Sequence, residues 1–241
     1  ELFAREYPKR IGLPFEILSD PRCLDDWSIE TLKGAGMDAV LVGIQACETA
    51  NRRLYNRPAP DRRVIDMARA LRRNKVHGVF QVIVDDPETL PEEKDALLDV
   101  LLALPKPYDL ITFSLCHWPG SDRTDALLDK GLIELADVEG QTGKVLSQFL
   151  ADYSFKRSAE DTFYLALYEL ANKRFVPGRW VRRWAKSEKL RNNPAPLTWI
   201  ARVANLGKLF LTGMGMLIKG QISMNTLRRW YGYFKRSNGC Y

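Results

Sequence analysis

Four short, strand-like apolar runs punctuate the first half of the chain: PFEIL at 14–18, AVLVGI at 39–44, GVFQVIV at 78–84 and LITFSL at 110–115. They are apolar on successive rather than alternate positions, which predicts strands buried on both faces. A helical pattern follows each of them. The helix after the first run is expected to start at Asp25 or Asp26 and to stop at Gly34 and Gly36. Another is expected over 61–74, after Pro58 and Pro60. Thr89 and Glu92 are spaced as a capping box, with Pro91 in the first turn, ahead of the apolar face of ALLDVLLAL. An amphipathic segment, LFAREYPKRIG, leads into the first run.

Strands alternating with helices every 25 to 40 residues or so mean repeated βα units and a parallel sheet covered by helices. The expected fold class is therefore α/β: a partial (β/α) barrel of the TIM type, built of parallel strands and followed by a helical C-terminal region. Four strands do not close a barrel, and an open edge this apolar is a liability. The start of the sheet is accordingly expected upstream of Glu1, where the chain opens in mid-pattern with no initiator Met and no signal-peptide pattern.

Composition narrows the setting. The chain has 241 residues, 46% of them apolar, enough for one sizeable core. No apolar run approaches the ~18 to 20 residues that span a bilayer. The longest, 209–218, carries two glycines and suits a buried or interfacial helix. Cys23, Cys47, Cys116 and Cys240 are scattered without a CxxC pair, which fits a reducing, cytoplasmic compartment. Residues 1–140 hold 18 basic and 25 acidic side chains, while 141–241 hold 18 and 5, so the two parts carry −7 and +13. That asymmetry predicts two regions, 1–140 and 141–241. The second has helical patterns through SQFLADYSF, TFYLALYELANKRF, RWVRRWAKSEKL and WIARVANLGKLFL. From Ala171 onward it has 15 basic residues and one acidic, interleaved with Trp180, Trp184, Trp199 and Trp230. Its aromatics are expected either to pack on the barrel or a further domain, or to meet an anionic membrane surface; nucleic acid is the weakest of the three readings.

Each predicted strand ends in polar residues: Ser19 and Asp20, Gln45, the stretch 81–86, and the stretch 114–117. Parallel barrels build their sites there. Taken singly, Gln45 suits a core amide and Arg57 a loop residue. Together they suit a zwitterionic ligand, because a guanidinium fork pairs bidentately with a carboxylate while an amide orients polar groups beside it. Asp85, Asp86 and Glu88 are read as a solvated loop rather than a metal cluster, since adjacent side chains rarely converge. His77 is expected at the surface or in a capping role, and His117 either touches a ligand or caps its turn. No GxSxG, HExxH or Walker-type loop is present. No catalytic residue and no metal ligand is assigned.

The order PFEILSDP, LKGAGMDAVLVGIQACE, YNR, VIVDDPET, LPKPYDLITFSL, WPGS and DKGLI resembles the second half of the radical S-adenosylmethionine (SAM) barrel. It is most similar to members with an upstream cobalamin-binding domain, and the resemblance runs to about residue 140. It implies that Gln45 and Arg57 hold the ribose and methionine carboxylate of SAM. It further implies that Gln81 offers a side chain to the ribose or amino acid moiety, and that backbone groups at Cys116 hold the adenine. Two positions depart from the family: Asp85 stands where many relatives have glycine, and Leu18 where some have a polar SAM contact. The CxxxCxxC motif that binds the family's 4Fe-4S cluster is not in the sequence. Nor is its glycine-rich SAM motif; both are expected upstream, with any cobalamin domain.

The activity implied is reductive cleavage of SAM to a 5′-deoxyadenosyl radical, with cobalamin, where present, serving methyl transfer or rearrangement. The partners implied are a small-molecule or lipid-like substrate and the upstream domains of the same polypeptide. The other function class that fits is a non-catalytic SAM-binding or interaction module without the cluster.

Overall fold

The computed structural model describes residues 1–141, 157–220 and 223. Helix α1 (Leu2–Arg10) sets Phe3 and Tyr7 against Phe15, with ring centroids 5.3 and 5.0 Å away, and so anchors the start of strand β1 (Phe15–Ser19). Helix α2 (Asp26–Gly34) begins where expected, since the Asp25 carboxylate accepts the Ser28 N–H at 2.8 Å. Past its end, Gly36 takes φ +110°, a backbone conformation that L side chains rarely adopt, and strand β2 (Met37–Gln45) follows. Then come α3 (Glu48–Leu54), α4 (Asp61–Arg73), β3 (His77–Ile83), α5 (Pro91–Ala103) and β4 (Asp109–Phe113). The N-terminus of α5 lies one residue later than the capping box expected at Thr89 and Glu92. It is Glu93 that reaches back to accept the Leu90 N–H at 2.9 Å.

The four strands pair in sequence order, β1-β2-β3-β4, and every pairing is parallel. This is the expected α/β arrangement of a partial barrel. His77 opens β3 at the surface, where its Nε2 lies 2.9 Å from Asp109 Oδ2.

Burial alternates along the strands. Val40, Val42, Ile44, Phe80 and Val82 are buried on one face, and α2 and α4 contact β2 and β3. On the other face Leu41, Val79, Gln81, Ile83, Ile111 and Phe113 are only partly covered, and Leu18 is 73% exposed. The strands were expected to be buried on both faces. Among the described residues only one face is fully covered, because four strands do not curl far enough to enclose the other.

Beyond the sheet lie α6 (Asp122–Asp129), α7 (Leu135–Glu139), α8 (Ala159–Ala171), α9 (Gly178–Ala185), α10 (Glu188–Asn192) and α11 (Ala195–Ile218). Helix α8 is apolar on nearly every side, and Phe163 through Tyr168 are all buried. The Tyr168 hydroxyl donates to the Lys94 carbonyl at 2.9 Å and the Tyr164 hydroxyl to Asp95 at 2.9 Å, which fastens α8 to α5. The buried Lys94 ammonium is satisfied by Asp161 at 2.7 Å and Glu160 at 3.3 Å. The chain divides into two compact units, Glu1–Thr198 and Trp199–Tyr241, so the sheet and α8 to α10 share one unit. The predicted pattern SQFLADYSF falls wholly on residues outside those described, and Trp230 does too. Among the described residues no helix is long and apolar enough to cross a membrane.

Candidate functional site

Strand β2 ends irregularly. Its register against β3 shifts between Gly43 and Gln45, and Gln45 takes φ +65°, a left-handed conformation uncommon for a side chain of its size. Asn51, buried on α3, supplies the physical reason. Its Nδ2 donates to the carbonyls of Ile44 at 2.9 Å and Ala46 at 2.7 Å, the two groups that flank Gln45. The Asn51 carbonyl in turn accepts the Arg57 N–H at 3.0 Å. One residue midway between Gln45 and Arg57 therefore fixes the backbone at both.

The side chains of Gln45 and Arg57 both reach over Gly43. A Cβ placed on Gly43 would lie 2.7 Å from Gln45 Nε2 and 3.8 Å from Arg57 Nη1, so only glycine leaves the amide its present place. Gln81 is the Cα partner of Gly43 on the neighbouring strand, which puts its side chain on that same partly covered face. Three of the four residues singled out in the sequence are thus gathered around one glycine at the C-terminal end of the sheet. The fourth, Cys116, stands in the loop after β4 and makes no hydrogen bond to them. Its Sγ lies 3.9 Å from the Ser114 carbonyl, and burial, with Asp85 nearby, pushes the thiol up to about 11.

Arg57 also pairs with Asp20, at the end of β1, and Asp20 is held by Arg22 through contacts of 2.9 and 3.1 Å. The hydrogen bonds from Arg22, with help from Arg57 and against some desolvation, keep the Asp20 carboxyl well below the usual carboxylate range. The mouth therefore presents a fixed anion and a fixed cation side by side.

The acidic stretch after β3 is not the solvated loop expected. Asp85 accepts the Leu115 N–H at 2.8 Å and Arg157 Nε at 2.9 Å, and Arg157 Nη2 donates to Ser114 Oγ at 2.7 Å. The Arg157 side chain is only 2% exposed. Asp85 thus turns toward the β4 loop and binds it to the β3 loop. Asp86 takes the fork of Arg123 and the Tyr55 hydroxyl at 2.8 Å, while Glu88 takes Arg123 and Lys130. Among the described residues no His, Cys, Asp or Glu group is arranged to hold a metal ion.

His117 Nδ1 is buried without a hydrogen-bond partner, and burial holds the imidazole below its ordinary 6.5. The His117 N–H donates to Gln141 Oε1 at 2.6 Å. Sequence reasoning missed Asn51 and Arg157. Gly43, a lone glycine inside an apolar strand, was the one signal of a close approach that could have been read in advance.

No family model matches the chain, and no curated protein matches it. Solved structures that align with part of it include radical SAM enzymes. The methyltransferase TsrM from Kitasatospora setae, with tryptophan and a SAM analogue bound, aligns at TM-score 0.46 and 16% identity over 53% of this chain and 26% of its own. Coproporphyrinogen III oxidase (HemN) from Escherichia coli aligns at 0.41 and 20% over 65% and 38%. The cobalamin-dependent enzyme OxsB, with aqua-cobalamin and SAM bound, aligns at 0.40 and 14% over 95% and 47%. The chain spans less than half the length of each.

Proposed function

We propose that the mouth of this sheet binds SAM, and that the chain is the C-terminal part of a radical SAM barrel. The observation that carries the reading is the convergence of Gln45 and Arg57 over Gly43, with Gln81 beside them in register. SAM carries a carboxylate, an ammonium, a sulfonium and two ribose hydroxyls. The Arg57 guanidinium suits the carboxylate, and the ionised Asp20 suits the positive groups. The amides of Gln45 and Gln81 donate and accept, as ribose hydroxyls require. The β4 loop at Cys116, fixed from behind by Asp85 and Arg157, offers backbone groups to the adenine.

The donor set therefore fits SAM. It does not fit a 4Fe-4S cluster, because Cys23 is exposed, Cys47 is buried, and neither these nor Cys116 and Cys240 have the family's spacing. In this reading the cluster ligands, and any cobalamin site, belong to upstream domains of the same polypeptide, and the substrate is a small or lipid-like molecule. When bound, SAM supplies the 5′-deoxyadenosyl group; the residues of this chain grip it, orient it and keep water away.

The test uses the protein in which this chain occurs, reconstituted anaerobically with iron and sulfide and reduced in the presence of SAM. 5′-Deoxyadenosine is then measured by chromatography. The reading predicts its formation, and predicts none from residues 1–241 alone. SAM bound but not cleaved by the whole protein would instead favour the binding module, and no binding at all would end both.

A further inference from the structure

Helix α11 carries a long stripe of exposed apolar residues. Trp199, Val203, Leu206, Phe210, Met214 and Ile218 recur at intervals of three and four, so they share one face of the helix. Trp199 and Phe210 are each 67% exposed, Leu206 66% and Ile218 81%. Lys208 and Thr212 lie about half a turn round from that stripe. A protein surface rarely leaves so long an apolar stripe in water without a partner for it.

The charge of the surrounding sequence indicates what that partner is. Residues 189–241 contain nine basic side chains and no acidic one. A second copy docked by the same face would bring like charge against like, and a nucleic acid would have no use for the apolar face. An anionic lipid surface meets both features at once: hydrocarbon for the stripe and negative headgroups for the basic residues. Trp199 has the amphipathic ring favoured at the headgroup level. The helix is not apolar enough to cross a bilayer.

We propose that α11 lies in the plane of an anionic membrane surface, with the Trp199 to Ile218 stripe inserted among the acyl chains. This proposal is independent of the SAM reading.

It is tested by co-sedimenting the whole chain with vesicles of phosphatidylcholine, alone or mixed with phosphatidylglycerol, at low and high salt. The protein should bind the mixed vesicles at low salt. Each Lys or Arg near the surface is worth about fivefold in affinity, so raising the salt should weaken binding by about tenfold or more. The double variant Leu206→Glu/Phe210→Glu, at two exposed positions, should weaken it by about tenfold or more while leaving the circular dichroism spectrum unchanged. Absence of binding at low salt would overturn the proposal, as would equal binding to pure phosphatidylcholine. So would self-association without lipid that the same double variant abolishes, which would make a second copy the partner.

Discussion

Replacing Asn51 by alanine removes the two donors that hold the turn around Gln45. Its Nδ2 serves the Ile44 and Ala46 carbonyls at 2.9 and 2.7 Å, and the side chain is buried, so water cannot take over without opening the site. Each bond is worth roughly 0.5 to 1.5 kcal/mol net; the Ile44 carbonyl keeps the Ala46 N–H at 2.9 Å, so the acceptor left alone is that of Ala46, at roughly 1 to 3 kcal/mol. One effect opposes this: Asn51 Oδ1 is buried without a partner, and alanine removes that unsatisfied atom too. The balance is a loss of about 2 to 3 kcal/mol. Asn51→Asp should cost more at neutral pH, because a carboxylate would then face two carbonyl oxygens. Once protonated, the introduced carboxyl can donate one bond, so its folded pKa is raised above the ordinary value of about 3.9. The relief is therefore fully present below the unfolded pKa and lost as pH rises through the folded one. Urea unfolding followed by circular dichroism at two pH values measures both effects. A loss below about 0.5 kcal/mol for Asn51→Ala, or equal costs for the alanine and aspartate variants at neutral pH, would refute the reasoning.

Arg157→Met should destabilise by about 3 to 5 kcal/mol, since it strands the Asp85 carboxylate, and Asp85→Asn in the same background should recover part of that loss. Strictly additive effects in the double-mutant cycle would show that the pair does not act as one. Gly43→Ala should leave stability within about 1 kcal/mol, because the new methyl meets only the movable end of Gln45. By displacing that amide it should still weaken SAM binding by about twofold to tenfold in calorimetry. His117 is held below 6.5 by burial, so its contribution to stability is present above that pH and is lost as pH falls toward its folded value. The His117→Gln variant should show a shallower fall in melting temperature on acidification below about pH 6.5 than the parent.

The sheet was legible because its signal is local and repeated: four apolar runs, each followed by a helical period, leave little room for another topology. Gln45 and Arg57 could be paired from spacing, since each ends or follows a strand whose place was already fixed. What holds them was not legible. Asn51 is an ordinary polar residue on a helix, and its role depends on the bulge that turns two carbonyls toward it. Arg157 acts on Asp85 across 72 positions of sequence, a distance over which no periodicity carries information. The acidic stretch 85–88 was misjudged for the same reason, as its cations come from Arg123, Lys130 and Arg157, each far along the chain. The open inner face of the sheet is a matter of curvature, which strand patterns do not encode.

The most direct test of the central claim is calorimetric titration of SAM into the protein in which this chain occurs, compared with its Arg57→Ala and Arg52→Ala variants. Arg57 lies over Gly43, whereas Arg52 pairs with Glu48 on the exposed side of α3. Losing a charge-assisted contact of about 1.5 to 3 kcal/mol should weaken SAM binding by roughly 10-fold to 150-fold for Arg57→Ala, with little change for Arg52→Ala. Equal affinity in both variants would contradict the assignment of this mouth as the SAM site.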